Sequence, residues 1–329
     1  MSNQTKKDQH FIPKLHLKNF TGNVPLGHVW SYNKKTGEQN SATPQETGFS
    51  RHFYSIKRPD GTYDTTIEDN LAKIESAASP IYRDLLDGKI PSGKAKMDFA
   101  LFLASMYLRT PVMRRMFAEG LSQGIQIHMY ATAQHPQAFA SYLDSYERKK
   151  GKSLSDEEKS KLRDDLSDLS NLQMLIPRER TLQVLQMTEE LADILWRMTW
   201  SLLIPKNGFL ITSDNPILRD FDSETIHPVY GGNDFKNKTC KVIFPLSPHC
   251  LFLASWEKNV ALKAYISKEH VEIINESQAS NSDSFLYSHI HHKKLTKLSE
   301  KFKVERPLIK TSGLRPEKFA KTKIVRHSR

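Results

Sequence analysis

Three stretches of this 329-residue chain place reactive side chains where they could do chemistry. In Phe209-Leu-Ile-Thr-Ser-Asp-Asn-Pro216 an apolar run ends in small polar residues and a proline. Loops at strand ends often carry functional groups, and Asp214 there could bind a metal or exchange a proton. The plainer reading is an Asx turn, because Asp and Asn readily hydrogen-bond nearby backbone. Glu68 and Glu75 stand seven residues apart, so on a helix they share one face beside the apolar stripe. Their Cα atoms would then be roughly 10 Å apart, so a shared cation would need a third group between them. Their plainer role is as solvated or salt-bridged helix-edge residues. Arg109 closes an apolar run in Leu108-Arg-Thr-Pro111. A guanidinium there needs a partner, because burying it alone is expensive. Glu75 or Asp214 is the natural one. The pair would be a fixed core ion pair or a seat for a phosphate or carboxylate.

Weaker candidates surround these. His10 and His52 flank the N-terminal segment and could move protons, although a lone histidine is more often structural. Asn275, Gln278, Ser282 and His289 fall near one side of an expected helix and would line a pocket or face water. Asn215 belongs with them as a ligand-binding candidate. Ser288-His-Ile-His-His292 resembles a metal tract only loosely. Cys240 and Cys250 read as reduced core residues. The phosphate loop GxxxxGK[ST], GxGxxG, GxSxG and HExxH patterns are missing, as is the zinc-deaminase pairing.

The elements that must position these groups follow from periodicity. Residues 10–65 read as a strand-containing segment, with strands at 27–33 and 49–56. Ile67, Leu71, Ile74, Ala78, Ile81 and Leu85 form one helical stripe. Residues 97–108 are apolar nearly all round, as in a central buried helix, and Pro111 should end it. Further helices are expected from 114 into the early 130s, within 139–149, after a capping box at Ser155-Asp-Glu-Glu158, and around 184–198. The charged helix after Ser155 reads as a peripheral insertion or cover. Residues 201–266 turn β-rich, as strands of one sheet, and a last helix is expected over 267–289. Together these predict one α+β domain over residues 1–289, a predominantly helical body on a small mixed or antiparallel sheet.

Charge is distributed unevenly. Residues 290–329 hold thirteen Lys or Arg and three Asp or Glu, which is +10 of the chain's +11. This basic C-terminal segment, with Lys293, Lys294, Lys297, Lys301 and Lys303 at its start, predicts an RNA or DNA partner and salt-sensitive binding. It reads as an arm. The polar N-terminus lacks a signal-peptide stretch, and the longest apolar run is about half of a membrane helix. A cytoplasmic protein without membrane contact is expected.

An ordered set of motifs is similar to a known family. His10-x-x-Pro13-x-x-x-Leu17-x-x-Phe20, the Trp30 strand, Phe49-x-x-x-Phe53-Tyr54, Glu68-x-x-Leu71-x-x-x-Glu75 and Arg109-Thr-Pro111 come first. Thr212-Ser-Asp-Asn-Pro216, Phe244-Pro-Leu-Ser-Pro248 and Asn275 follow. They resemble the bacterial family catalogued as domain of unknown function 4238, over about His10 to Tyr287. His16 stands where that family usually has an aromatic residue. The resemblance implies that His10, Glu68, Glu75, Arg109, Asp214, Asn215 and Asn275 form one constellation.

The leading expectation is a nucleic-acid-directed nuclease or phosphodiesterase. Glu68, Glu75 and Asp214 would hold Mg²⁺ or Mn²⁺, His10 or His52 would handle protons, and Arg109 would steady a phosphate. The rivals are a non-catalytic nucleic-acid-binding or protein-interaction component, possibly in defence, and an enzyme for a small phosphorylated or nucleotide ligand. Convergence of Glu75, Arg109 and Asp214 in one cleft would favour the first.

Overall fold

A computed structural model describes residues 7–23, 26–168, 176–222, 224 and 234–303. In chain order the elements are β1 (Asp8–His10), α1 (Lys14–Leu17), β2 (Val29–Asn33), β3 (Gln39–Ala42), β4 (Phe49–Arg51), β5 (Ile56–Lys57) and β6 (Tyr63–Asp64). Next come α2 (Thr66–Leu86), α3 (Gly93–Leu108), α4 (Pro111–Gln134), α5 (Pro136–Lys150), α6 (Asp156–Ser167), α7 (Arg178–Thr181) and α8 (Thr188–Arg197). The last are β7 (Thr199–Pro205), β8 (Thr212–Ser213), β9 (Leu218–Asp220), β10 (Lys241–Ser247), β11 (Cys250–Ser255), β12 (Lys263–Ile266), α9 (Lys268–Asn281), β13 (Phe285–Ser288) and α10 (Lys293–Lys301). The fold is α+β. It divides into two compact units, residues 1–112 with 187–329, and residues 113–186.

The first unit holds every candidate site residue. Its α2 buries Leu71, Ala78, Ile81, Tyr82 and Leu85, while Ile67 and Ile74 of the expected stripe are only half-buried. Its α3 buries every residue from Phe99 to Leu108 except Leu101, and delivers Arg109 at its C-cap. Helix α4 starts at Pro111, where the missing N–H costs nothing. One sheet has the order β12-β7-β11-β10-β9 and is antiparallel except for the β12–β7 pair. Another is antiparallel with the order β3-β2-β13-β8, and β1 with β4 and β5 with β6 form two-stranded sheets. Cys240 and Cys250 are buried free thiols, and burial pushes both up to about 11.

The second unit has its own small core. Ala133, Phe139 and Leu166 are buried, with Met129, Tyr142, Leu143 and Leu162 packed around them. The capping box forms, with Ser155 Oγ accepting from Glu158 N and Glu158 accepting from Ser155 N. The charged α6 is therefore seated through Leu162 and Leu166. The expected contribution of Leu169 lies outside the described residues.

Four expectations need correction. The strand expected over 49–56 is two short ones, β4 paired with β1 and β5 paired with β6. Residues 208–212 do not join the sheet of β7, β10 and β11; β8 pairs instead with β13 in the other sheet. The helix expected over 267–289 stops at Asn281, and the alternating Phe285-Leu-Tyr-Ser288 forms β13. Two side chains force the break. Lys34 donates to the carbonyls of Ala279 and Ser282 at 2.7 and 2.8 Å, closing the helix end. Asp214 then holds the turn that follows. The basic segment is also not an arm from its first residue. In α10, Leu295 and Ser299 are buried, and Leu298 and Phe302 pack against the cluster of Tyr32, Ile211, Ala279 and Leu286. Residues 304–329 lie outside the described residues.

Candidate functional site

Arg109 anchors the one charged cluster that the fold assembles from the sequence candidates. Its side chain is 1% exposed. Nη1 donates to Glu75 Oε1 at 2.8 Å, and Nε donates to the Phe11 carbonyl at 3.2 Å. Nη2 is buried without a partner among the described residues. A buried guanidinium with a spare donor is costly unless something else completes it. The backbone is fixed as well. The Tyr54 hydroxyl donates to the Arg109 carbonyl at 3.2 Å, while Gln9 accepts from Tyr54 N and donates to Ser55 Oγ. The guanidinium thereby ties α2, α3 and the N-terminal segment together.

His10 and Glu68 complete the cluster. His10 ends β1 opposite Phe49 of β4, its ring 5.4 Å from the Phe49 ring. Its Nε2 is buried without a partner among the described residues. Burial, then the charges of Lys14 and Arg109, push His10 down to about 4, against a hydrogen bond to the Gln45 backbone and the charge of Glu75. Glu68 is pushed up by burial and by Glu75 and Asp69, although Arg109 and Lys14 pull it back. An imidazole held neutral and a glutamate that keeps its proton longer than usual thus share one electrostatic environment. Opposed shifts of this kind distinguish acid from base in catalytic sites. Lys14, four residues after His10, belongs to the cluster and was missed; that spacing was its only signal.

Asp214 does not join them. Its Oδ1 accepts from Asp283 N at 2.8 Å, and its Oδ2 accepts from Ser284 N and Phe285 N at 2.7 and 2.9 Å. Burial and the neighbouring Asp283 push it up to about 6, against these three donors. The carboxylate is a clamp for the α9–β13 turn. Asn215 trades backbone contacts with Asn281: its Nδ2 donates to the Asn281 carbonyl, and Asn281 Nδ2 donates to the Asn215 carbonyl, both at 3.0 Å. Gln278 accepts from Ser213 Oγ at 2.8 Å and donates to the Pro216 carbonyl at 2.6 Å. Asn275 accepts from Ile211 N and donates to the Phe209 carbonyl. Asn275 and Gln278 thus stitch α9 to residues 209–216, although Asn275 also borders one surface cavity and His289 lines another. Because Asp214, Asn215, Asn275 and Gln278 do this, the single implied constellation is two networks.

The metal expectation fails on its donors. Glu75 is engaged by Arg109 and Asp214 by three backbone N–H groups. Among the described residues no group of three His, Cys, Asp or Glu side chains is placed to hold a metal ion. The histidine tract likewise supplies no such group. His52 adopts a left-handed backbone, φ 51°, and stacks on Tyr63 at 3.9 Å, which is how the structure uses it.

His16 of α1 joins α2 to β8. It is fully buried, with Nδ1 2.8 Å from the Tyr82 hydroxyl and Nε2 2.7 Å from Thr212 Oγ1. The Tyr82 hydroxyl donates to the Leu246 carbonyl at 2.9 Å, so it accepts from His16 Nδ1–H, and Nε2 accepts from Thr212. Burial, with Arg109 adding to it, pushes His16 down to about 3. His289 is pushed down to about 4 by burial and His249. Below about pH 6.5 an unfolded chain protonates these three imidazoles while the folded chain does not, so stability falls with pH until their folded values are passed. Asp214, raised from 3.8 to about 6, and Glu68 act oppositely: the folded chain takes those protons first, which favours folding as pH drops. Three lowered histidines outweigh them. The melting temperature is expected to fall between pH 6.5 and pH 4, and His16→Gln should make that slope shallower; a melting temperature that rises over this range would contradict the assignment.

Five lysines, Lys293, Lys294, Lys297, Lys301 and Lys303, are exposed on or just after α10. Lys294 and Lys301 sit 3.6 and 3.0 Å from Glu272 and Glu276 of α9. Such exposed pairs are weak and would not prevent a polyanion from competing for the lysines. Among the described residues no helix is long and apolar enough to cross a membrane.

Comparison with known proteins adds one finding. A family described as "Protein of unknown function (DUF4238)" matches residues 8–292. No curated protein matches, and no solved structure does.

Proposed function

The chain belongs to the DUF4238 family, and we propose that it is a nucleic-acid-directed phosphodiesterase whose acid–base site is built from His10, Glu68, Glu75 and Arg109. The observation that carries the reading is the buried Arg109, neutralised on one side by Glu75 and left with Nη2 unmatched among the described residues. A phosphate oxygen is the natural acceptor for such a donor. Neutral His10 takes the proton from the attacking oxygen. Glu68, which holds its proton to higher pH than an ordinary glutamate, returns one to the leaving oxygen. Glu75 fixes the guanidinium. The exposed lysines of α10 add attraction for a polyanion, to be read as a salt-dependent affinity.

The test uses the full chain with labelled single-stranded RNA and DNA. Wild-type cleavage that falls at least about 100-fold in Glu68→Gln and in His10→Ala supports the reading. Cleavage unaffected by either change overturns it. The non-catalytic reading draws on the second network, where Asp214 is wholly taken up by backbone N–H groups. It predicts binding without turnover in the same assay.

A further inference from the structure

Away from Arg109, a cavity of about 640 Å³ opens between the segment after α1, strand β2, the β10–β11 turn and the residues after β13. Its volume falls within the roughly 300–1,000 Å³ typical of small-molecule sites. Among the described residues its lining contains no Lys, Arg, Asp or Glu. One wall is aromatic: Trp30 and His291 meet at 4.8 Å, and His249 and His289 at 5.9 Å. Phe209 backs His289 edge-on at 5.1 Å. Hydrogen-bonding groups are supplied by Asn19, Asn23 and Ser247. His289 Nδ1 is buried without a partner among the described residues.

This chemistry is selective. Without a Lys or Arg in the described lining, only the three imidazoles could face an anion, so the lining favours a neutral part of a ligand. A mixture of ring faces and unmatched polar edges suits a flat heterocycle with donors and acceptors on its rim. The close approach of backbone that shapes the cavity depends on Gly22. A Cβ there would lie 1.8 Å from the His289 carbonyl oxygen. Gly22→Ala is therefore expected to cost about 1–3 kcal/mol of stability in thermal or urea melts; a variant as stable as the parent would show that the approach is not tight.

We propose that this cavity is a binding site for a nucleobase, as a free nucleoside or as a base of a single strand. It stands on its own residues and not on the acid–base reading of Arg109, so either can fail alone.

The experiment is calorimetric or ligand-detected NMR binding of adenosine, guanosine, cytidine and uridine to the full chain, followed by competition with single-stranded oligonucleotides. At least one nucleoside is expected to bind. Trp30→Leu and His289→Ala should each weaken it about tenfold or more, while Trp30→Phe, which keeps a ring, should lose far less. His249→Ala, at an exposed position, gives a fold-neutral variant that should also weaken binding. Displacement by an oligonucleotide assigns the site to a strand; a nucleoside that no oligonucleotide displaces assigns it to a free ligand, and both support a base site. The proposal is overturned if no nucleoside binds at millimolar concentration. It is also overturned if a neutral disaccharide binds there as well as the nucleosides, or if folded Trp30→Leu and His249→Ala bind like wild type.

Discussion

Arg109→Lys is expected to abolish turnover of a nucleic-acid substrate while leaving a folded, weakened protein. Lysine keeps the charge but presents one ammonium where the guanidinium forks to three places. It cannot hold Glu75, reach the Phe11 carbonyl and offer a further donor together. Breaking a fully buried pair costs about 3–5 kcal/mol. Glu75 keeps 27% side-chain exposure and can be hydrated, so the expected loss here is smaller, about 2–3 kcal/mol. Turnover should fall at least about 100-fold, as when a preorganised electrostatic donor is removed. Measuring cleavage and melting in parallel separates the two effects. A variant that loses stability but cleaves in proportion to its folded fraction would make Arg109 a structural ion pair alone.

Asp214→Ala should have the larger effect on folding and none on chemistry. Three backbone N–H groups from residues 283–285 lose their acceptor inside the protein. Each unmatched buried donor costs about 1–3 kcal/mol, and relaxation would bring the total to about 3–5 kcal/mol. Asp214→Asn keeps one carbonyl oxygen but turns an amide donor towards the N–H groups, so it should fall between the two. Urea denaturation gives the ranking. If Asp214→Asn is as stable as wild type and inactive, the clamp is misassigned and Asp214 belongs in the chemistry after all.

These two residues show how much the sequence reveals and where it stops. Helix α2 and the buried α3 were legible because an apolar stripe and an apolar run have only one way to pack. The Arg109–Glu75 pair was legible for the same reason: a charge at the end of such a run must find a partner. The role of Asp214 was not. An Asp at a strand end looks alike whether it faces a ligand or the backbone of residues seventy positions away. The break at Asn281 was hidden because Lys34, which caps it, sits in another sheet strand's turn. α10 was obscured by charge: Leu295, Leu298 and Phe302 are a sparse stripe among lysines, yet enough to seat it on the core. The cavity beside Trp30 had no local signature, since Trp30, His249 and His289 come together only through the pairing of β2 with β13 and the β10–β11 turn.

The measurement that tests the central claim most directly is cleavage of single-stranded RNA and DNA by the full chain and by Glu68→Gln, with melting temperatures matched. Glu68 is half-buried and its side chain makes no hydrogen bond or ion pair among the described residues, so its amide should leave the fold intact. The acid–base site predicts cleavage by wild type that drops at least about 100-fold in the variant, with binding retained. Equal cleavage by the two proteins, or none by either, would contradict it.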